Sequence, residues 1–306
     1  MRHSHPQESL GRLCALFGVT RQAYYEAELQ DKKTSIANMI VLTLVKNLRT
    51  DIPILGTRKL LFMLRKGFTM HGIKIGRDKL FDLLRFHGLL IRRRRRMVKT
   101  TDSHHWLKKY PNLIKELTLC CPEQLWVSDI TYIRTLKGFS YLTMITDAYS
   151  RRIMGYAVFE TLAAEGPLEA LKMALTQRRR NVPYVLIHHS DRGIQYCSWE
   201  YIHTLMEAGI AISMTQSGSP YDNALAERVN GTIKNDLLPR KIMQDYNEAL
   251  KEVSASIKKY NELRPHDSLD HMTPVQAHEL TGPIVKKWKT YPKHKKQKEV
   301  IMKDAK

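Results

Sequence analysis

Apolar residues recur at three- and four-residue intervals through the first 120 positions, with few β-branched runs, so this stretch reads as helical throughout. It divides in two. In residues 8–28, Leu10, Leu13, Leu16 and Phe17 form one face. Gly18-Val19-Thr20 supplies a tight turn, and Thr20 caps a second helix whose Ala23 and Tyr24 pack back. Residues 36–90 repeat the theme: a helix over 36–48, a break at Pro53 and Gly56, a helix from Thr57, and a turn between Gly67 and Gly72. A last helix runs from Arg77 to His87, where Gly88 stops it. Each half fits a helix-turn-helix, whose second helix enters a major groove, and fits an ordinary helical hairpin equally well.

From Gln124 the period changes from helical to alternating. Residues 124–135 (QLWVSDITYIRT) are rich in β-branched and aromatic side chains, Leu136-Lys137-Gly138 signals a turn, and residues 139–148 and 151–159 make two further runs. Short turns between three strands predict an antiparallel meander. Beyond it the pattern gives a helix over 167–178, an apolar strand over 184–189, a helix over 199–207, a strand over 211–215 and a helix beginning near Asp222. The order β-β-β-α-β-α-β-α predicts an α/β domain with a mixed five-stranded sheet and helices on its faces.

Charge sharpens this division. The chain has 306 residues, 50 basic and 30 acidic, for a net charge of +20. Residues 1–120 carry +15, residues 121–280 carry −2 and residues 281–306 carry +7. Such an excess points to a polyanionic partner, most simply nucleic acid, with an anionic membrane surface as the weaker reading. No apolar run approaches the roughly 18–20 residues of a membrane span, and MRHSHPQESL lacks the apolar core of a signal peptide, so the chain is expected in the cytoplasm. Arg58, Lys59, Arg77 and Lys79 are expected on polar helix faces, and Arg92-Arg93-Arg94-Arg95-Arg96 follows directly. Five adjacent guanidinium groups repel one another; phosphate contact relieves that repulsion, and a solvated linker is the bland alternative. Four cysteines (Cys14, Cys120, Cys121, Cys197) are too scattered for a disulfide framework. The adjacent Cys120 and Cys121 lack the spacing of a zinc knuckle, and a site shared with His104 and His105 would need all four to converge.

Acids are sparse in the strands, which makes their positions informative. Asp129 lies mid-strand between apolar neighbours, where a charge is costly unless it is paired or binds a cation. Asp191 follows the end of the fourth strand, and Glu227 lies in the helix after the fifth. Sixty-one residues separate the first pair and 35 the second. If the first and fourth strands are central neighbours, the three carboxylates converge and repel in a low-dielectric cleft. Two divalent cations resolve that conflict, and hard oxygen donors select Mg2+ or Mn2+. Two such ions, roughly 3.5–4 Å apart, clamp a scissile phosphate. Three unrelated surface acids remain the alternative at this point. Asp147 has the setting of a turn residue, and His188 and His189 serve either as packing groups or as a proton shuttle. Ser217–Tyr221 is a mobile loop or a plain connector, and Asp222 or Asn223 is expected to cap the helix carrying Glu227.

The strings Trp126-Val-Ser-Asp-Ile-Thr-Tyr132, His189-Ser-Asp-Arg-Gly-Ile-Gln-Tyr196, Ser217-Gly-Ser-Pro-Tyr-Asp-Asn-Ala-Leu-Ala-Glu-Arg228 and Tyr260-Asn-Glu-Leu-Arg-Pro-His266 resemble the catalytic core of the IS3 family of insertion-sequence transposases. Ser268-Leu269 and Thr273-Pro274 extend the match, and the same core is shared more distantly with retroviral integrases. The resemblance covers residues 124–275. It implies an RNase H-like fold in which Asp129, Asp191 and Glu227 hold two metal ions, and a DNA-contacting role for Lys234. It also implies DNA strand cleavage that exposes a 3′-hydroxyl, followed by strand transfer to the opposite end of the element and later integration. The N-terminal half resembles the family's DNA-binding region. Family members are often fused to an upstream-frame protein that supplies a sequence-reading helix-turn-helix and a leucine zipper. No sustained heptad appears here, so the chain is expected as the downstream product alone, with the upstream-frame protein as a partner.

Together these readings predict a short helix-turn-helix over 1–30, a helical DNA-binding region over 31–98 and a linker over 99–120. An RNase H-like core over 121–280 and a basic tail over 281–306 complete the division, with Trp288 and Tyr291 interleaved among the tail's lysines. The expected protein is a DNA transposase acting on double-stranded DNA, at least as a dimer, because two ends must be held at once. The rival functions are a catalytically inert DNA-binding regulator and an RNase H-like nuclease that never joins strands.

Overall fold

A computed structural model of the chain describes residues 7–91, 106–162, 164–179, 184–216 and 223–284. Helix α1 (Leu10–Leu16) ends before Gly18, whose φ of +65° makes the turn, and the Thr20 hydroxyl accepts the Ala23 amide at 3.0 Å to cap α2 (Arg21–Asp51). That second helix is unbroken for 31 residues, so the expected boundary at residue 30 and the separate helix over 36–48 merge into one element. No Gly or Pro occurs between Arg21 and Asp51, and nothing local stops propagation. Helix α3 (Thr57–Met70) runs through Gly67, and the turn falls instead at Gly72, with a φ of +66°. Helix α4 (Arg77–Phe86) ends before Gly88, with a φ of +65°.

Val41 and Val45 of α2, Leu60 and Phe68 of α3, and Leu80 and Leu84 of α4 are all buried in one apolar cluster. Each such side chain contributes about 1.5–3 kcal/mol by leaving water. The same cluster continues into the second half of the chain through Ile133, Leu142, Val158, Val229, Val253 and Ile257. The helical half and the sheet therefore share a core.

The sheet is built from β1 (Leu125–Thr135), β2 (Gly138–Asp147), β3 (Ile153–Phe159), β4 (Ile187–Ser190) and β5 (Ala211–Met214), in the order β3-β2-β1-β4-β5. β1 pairs antiparallel with β2 and β2 with β3, while β4 lies parallel to β1 and β5 parallel to β4. Helices α5 (Glu165–Gln177) and α6 (Trp199–Glu207) make the crossovers, and α7 (Ala224–Thr232) continues into a π-helical turn over Ile233–Leu237. Two further helices, α8 (Tyr246–Glu262) and α9 (Pro274–His278), complete the RNase H-like domain. Helix α5 lies close on β3 because position 155 is glycine. A Cβ there would stand 2.0 Å from the Ala170 carbonyl oxygen and 2.7 Å from the Ala174 nitrogen.

The expected linker over 99–120 is, from Trp106 onward, part of the domain. Met214 donates to the Pro111 carbonyl at 3.2 Å, and the Leu113 amide donates to the Ser213 hydroxyl at 2.9 Å. Leu107, Tyr110, Ile114, Leu117 and Leu119 pack on buried clusters beneath. β5 is an edge strand, and this segment covers it; exposed strand edges otherwise template aggregation. Arg92–Arg96, His104, His105, Ser217–Asp222, Trp288 and Tyr291 lie outside the described residues. Among those described, no helix is long and apolar enough to cross a membrane, and all four cysteines are free thiols.

Candidate functional site

Register brings the two aspartates together. Val127 of β1 stands opposite His189 of β4 in the parallel ladder. Two residues further along come Asp129, still within β1 and by the two-residue period on the face of Val127, and Asp191, one residue past the end of β4 and close enough for its charge to act on Asp129. β1 is the central strand, so the pair sits at the middle of the sheet. Asp191 leaves β4 in a tight turn, its Oδ1 accepting the Gly193 amide at 2.9 Å.

Helix α7 carries Glu227 within electrostatic range of Asp129, and two asparagines fix where the helix lies. Asn223, at the N-cap, donates from Nδ2 to the Ser128 carbonyl at 2.9 Å, and Asn230 donates from Nδ2 to Asp129 Oδ2 at 2.8 Å. Spacings of four and three residues put 223, 227 and 230 on one helical face. The expected capping role of Asn223 is therefore replaced: its side chain makes no capping hydrogen bond to α7, and the amide is used to hold β1 instead. Ser128 also shares a hydrogen bond with the Tyr196 hydroxyl at 2.9 Å, tying β1 to the Asp191 turn from below. Ser128, Tyr196 and Asn230 escaped the reading by charge and spacing, although Asn230 lies one helical turn from Glu227, and Asn223 was expected only as a cap.

The electrostatics report the convergence. Burial, followed by the charges of Asp191 and then Glu227, pushes the Asp129 carboxyl up to about 7, while the Asn230 amide and the Ile130 amide act against that rise. The charges of Asp191 and Glu227 are thus both felt at the buried Asp129 carboxyl. Lys234 of the π-helical turn supplies a basic group within electrostatic range of Asp129: its Nζ donates to the Thr131 hydroxyl at 3.1 Å and lies 4.2 Å from the centre of the Tyr132 ring. Burial lowers its ammonium, and Asp129 raises it. π-turns cluster at functional sites because they re-aim one side chain without ending the helix. Among the described residues, no three His, Cys, Asp or Glu side chains form a group that could already hold an ion.

The histidines are structural. His188 is buried, shares a hydrogen bond with the Tyr201 hydroxyl at 2.9 Å, and is pushed down to about 3 by burial, so it is uncharged at neutral pH and no proton shuttle. His189 Nδ1 bonds the Ser213 hydroxyl at 2.8 Å. Asp147 accepts the Glu123 amide and both the amide and the hydroxyl of Ser150, as a turn residue does.

Integrase core domain families match residues 120–220 and 208–274. An insertion element IS600 protein of 31 kDa from Shigella sonnei is 36% identical over 272 residues, covering 87% of this chain and 97% of that protein. The transposase for insertion sequence element IS629, also from Shigella sonnei, is 30% identical over 278 residues, covering 89% and 92% respectively. Transposase InsF for insertion sequence IS3fB of Escherichia coli K12 is 36% identical over 152 residues, covering 49% and 52%. The chain belongs to the IS3 family of insertion-sequence transposases. As a DNA transposase with an integrase core it is a polynucleotidyl transferase.

The remaining basic positions of the transposase fall in different places. Arg58 is exposed on α3. Arg77 is exposed on α4 and pairs with Asp78 at 2.8 Å, while Arg85 of the same face pairs with Asp82, so this surface is half-neutralised from within. Lys59 departs from its expected polar face. It is half-buried toward the catalytic domain, where burial first and Arg264 next push its ammonium down to about 8, against opposing effects from Asp267 and Asp236. Phe62, one turn on, stacks on His271 with centroids 4.7 Å apart, so this face of α3 packs against the chain after α8.

Proposed function

We propose that Asp129, Asp191 and Glu227 are the catalytic carboxylates of this transposase and hold two divalent cations, Mg2+ or Mn2+. The observation that carries this is the parallel register of β1 and β4, which sets Asp129 beside Asp191, with Asn230 fastening the Glu227 helix to the first of them. The donor set fits hard cations. All three acids present oxygen, and the Oδ1 atoms of Asn223 and Asn230 are buried with no hydrogen-bond partner among the described residues. When bound, such ions supply Lewis-acid activation of an attacking oxygen and stabilisation of a leaving one.

The protein's own groups do the rest. Asn230 fixes one oxygen of Asp129 and the Ile130 amide fixes the other, so the carboxylate is oriented before substrate arrives. Lys234, held by Thr131 and Tyr132, places a cation along the path of a DNA phosphate next to the carboxylates. Arg58, Arg77 and the Arg92–Arg96 run supply phosphate contacts in the helical half, whose α1–α2 and α3–α4 pairs act as helix-turn-helix units. Each strand transfer exchanges one phosphodiester for another, so no high-energy cofactor is required. Two ends are held at once, so the active form is at least a dimer on double-stranded DNA. The upstream-frame protein of the same element is a further partner, and the working compartment is the cytoplasm, on the nucleoid.

The test uses a duplex ending in the element's own terminal repeat, read from the inverted repeats that flank the gene. With Mg2+ or Mn2+, the wild type nicks this duplex and joins the exposed strand to a second one. Asp191→Asn binds the duplex with unchanged affinity and does neither. Cleavage retained by this variant overturns the triad assignment, and wild-type cleavage without joining reduces the protein to a nuclease.

A further inference from the structure

Helix α2 has two apolar faces, and the shared core uses only one of them. Val41 and Val45, the buried residues of this helix, both lie in its second half. From Arg21 to Ile36 every position is exposed except Tyr24 and Thr34. A helical segment of that length is marginal in water without tertiary packing. Its exposed side is nevertheless apolar: Tyr25, Leu29, Ile36 and Met39 are 53%, 54%, 60% and 65% exposed. At about 100° per residue these four fall within a band about 80° wide, on the far side of the helix from Val41. Lys32 completes the band, and the positions 25, 29, 32, 36 and 39 alternate in steps of four and three.

That alternation is the a/d seam of a two-stranded coiled coil, here too short to form a sustained heptad repeat. The one charged member of the seam is drawn aside: the Lys32 ammonium pairs with Glu28 at 3.0 Å, which leaves its aliphatic stem on the band. The flanking charges show what covers the seam. With Leu29 and Ile36 at a and Tyr25, Lys32 and Met39 at d, Arg21 and Glu28 take g positions, and Glu26 and Lys33 take e positions. In a parallel pair each g residue faces the e residue five positions later on the other helix. Arg21 then meets the partner's Glu26, and Glu28 meets the partner's Lys33. Every such contact joins opposite charges. Beyond the first turn of α2, DNA does not fit this face, because Glu26 and Glu28 border the band on its two sides and repel phosphate.

We propose that the exposed face of α2 from Tyr25 to Met39 pairs in parallel with the same face of a second copy of this chain. The pairing buries the apolar band that the monomer leaves in water and matches its flanking charges. The parallel sense sets the α1–α2 units of both copies at one end of the seam, where two DNA ends are held together. In that use the inference rests on the two-ended DNA reading above and gives its dimer an interface.

The experiment is sedimentation equilibrium of the full chain, without DNA or metal, over a dilution series from about 100 to 1 µM, the upper range of interface affinities. The wild type shows a monomer–dimer equilibrium. Ile36→Asp raises the dimer Kd at least about 30-fold, as for the loss of one central anchor. Its melting midpoint matches the wild type where both are monomeric, because residue 36 is already exposed in the single chain. Glu28→Lys and Lys33→Glu each set like charges across the seam and dimerise poorly alone, and mixed in equal amounts they associate with each other. Met39→Cys forms a disulfide between copies under oxidised glutathione where the wild type does not, since a parallel seam sets the two d positions side by side. A wild type that stays monomeric, an Ile36→Asp chain that dimerises as tightly as the wild type, or charge variants that fail to associate when mixed overturn the seam. A dimer in which Met39→Cys does not cross-link overturns the parallel sense. A wild type that is monomeric alone and binds the upstream-frame protein through Ile36 overturns the proposal in favour of that partner. None of these failures touches the carboxylate assignment, and a dimer that neither nicks nor joins DNA overturns that assignment while leaving the seam in place.

Discussion

Replacing Lys59 with methionine separates a DNA contact from a buried charge that costs stability. The unperturbed ammonium titrates at 10.5 and the folded one at about 8, so folding disfavours the charged form. Because the folded value is the lower one, the penalty is complete below pH 8 and fades as the pH rises through 10.5. A shift of this size amounts to about 3 kcal/mol at pH 7 and under about 0.5 kcal/mol at pH 10.5. Methionine keeps an unbranched apolar stem one atom shorter, and its removal of the ammonium orphans no buried carboxylate. Asp236 keeps Arg264 at 2.7 Å, and Asp267 is 54% exposed with His271 at 3.5 Å. Lys59→Met should therefore raise stability at pH 7 by up to about 3 kcal/mol, and the gain should shrink toward zero at pH 10.5. Urea unfolding at the two pH values reads the effect. Duplex affinity and its salt slope should stay at wild-type values, whereas Arg58→Ala, on the exposed side of the same turn, should weaken binding. A Lys59→Met protein that is less stable at pH 7, or that binds DNA more weakly, refutes the placement of this amine in the contact between the two halves.

Asn230→Ala removes the donor that holds Asp129, and groups that orient metal ligands are worth about 10- to 100-fold in metal affinity or activity. The Mg2+ concentration needed for half-maximal cleavage should rise by that factor with duplex affinity unchanged; an unchanged Mg2+ requirement would show that the amide plays no part in the site. Gly155→Ala forces a methyl group into the α5 backbone and should cost about 1–3 kcal/mol or more. Thermal melting should show a drop of several degrees, and an unchanged midpoint would mean that α5 does not rest on β3 as described. The Asp191→Asn variant described above completes the set.

Several features were open to local reading because their causes are local. Thr20 caps α2 through its own side chain, the glycines at 18, 72 and 88 take the left-handed turns that end or precede helices, and the alternating runs after Gln124 become β1, β2 and β3. The continuity of α2 is also local in origin, in the absence of any Gly or Pro from 21 to 51, although the apolar periodicity by itself predicts two helices. By contrast, nothing local says that the residues around Pro111 and Leu113 leave the linker to lie along β5, since that depends on an unpaired edge far away in sequence.

The three acids, their spacing and the strings around them are properties of the sequence, and they name the family without coordinates. What the sequence could state only as a condition is that β1 and β4 are neighbours. The offset that pairs Val127 with His189 is set by sheet order and by the crossovers through β2, β3 and α5, not by any residue near Asp129. The same holds for the direction in which a basic side chain points. Arg58 and Lys59 are adjacent and alike in charge, yet about 100° of helical rotation leaves one in water and turns the other toward Arg264 and Asp267. Charge and spacing are written along the chain, whereas which groups share a low-dielectric space is decided only when distant elements pack.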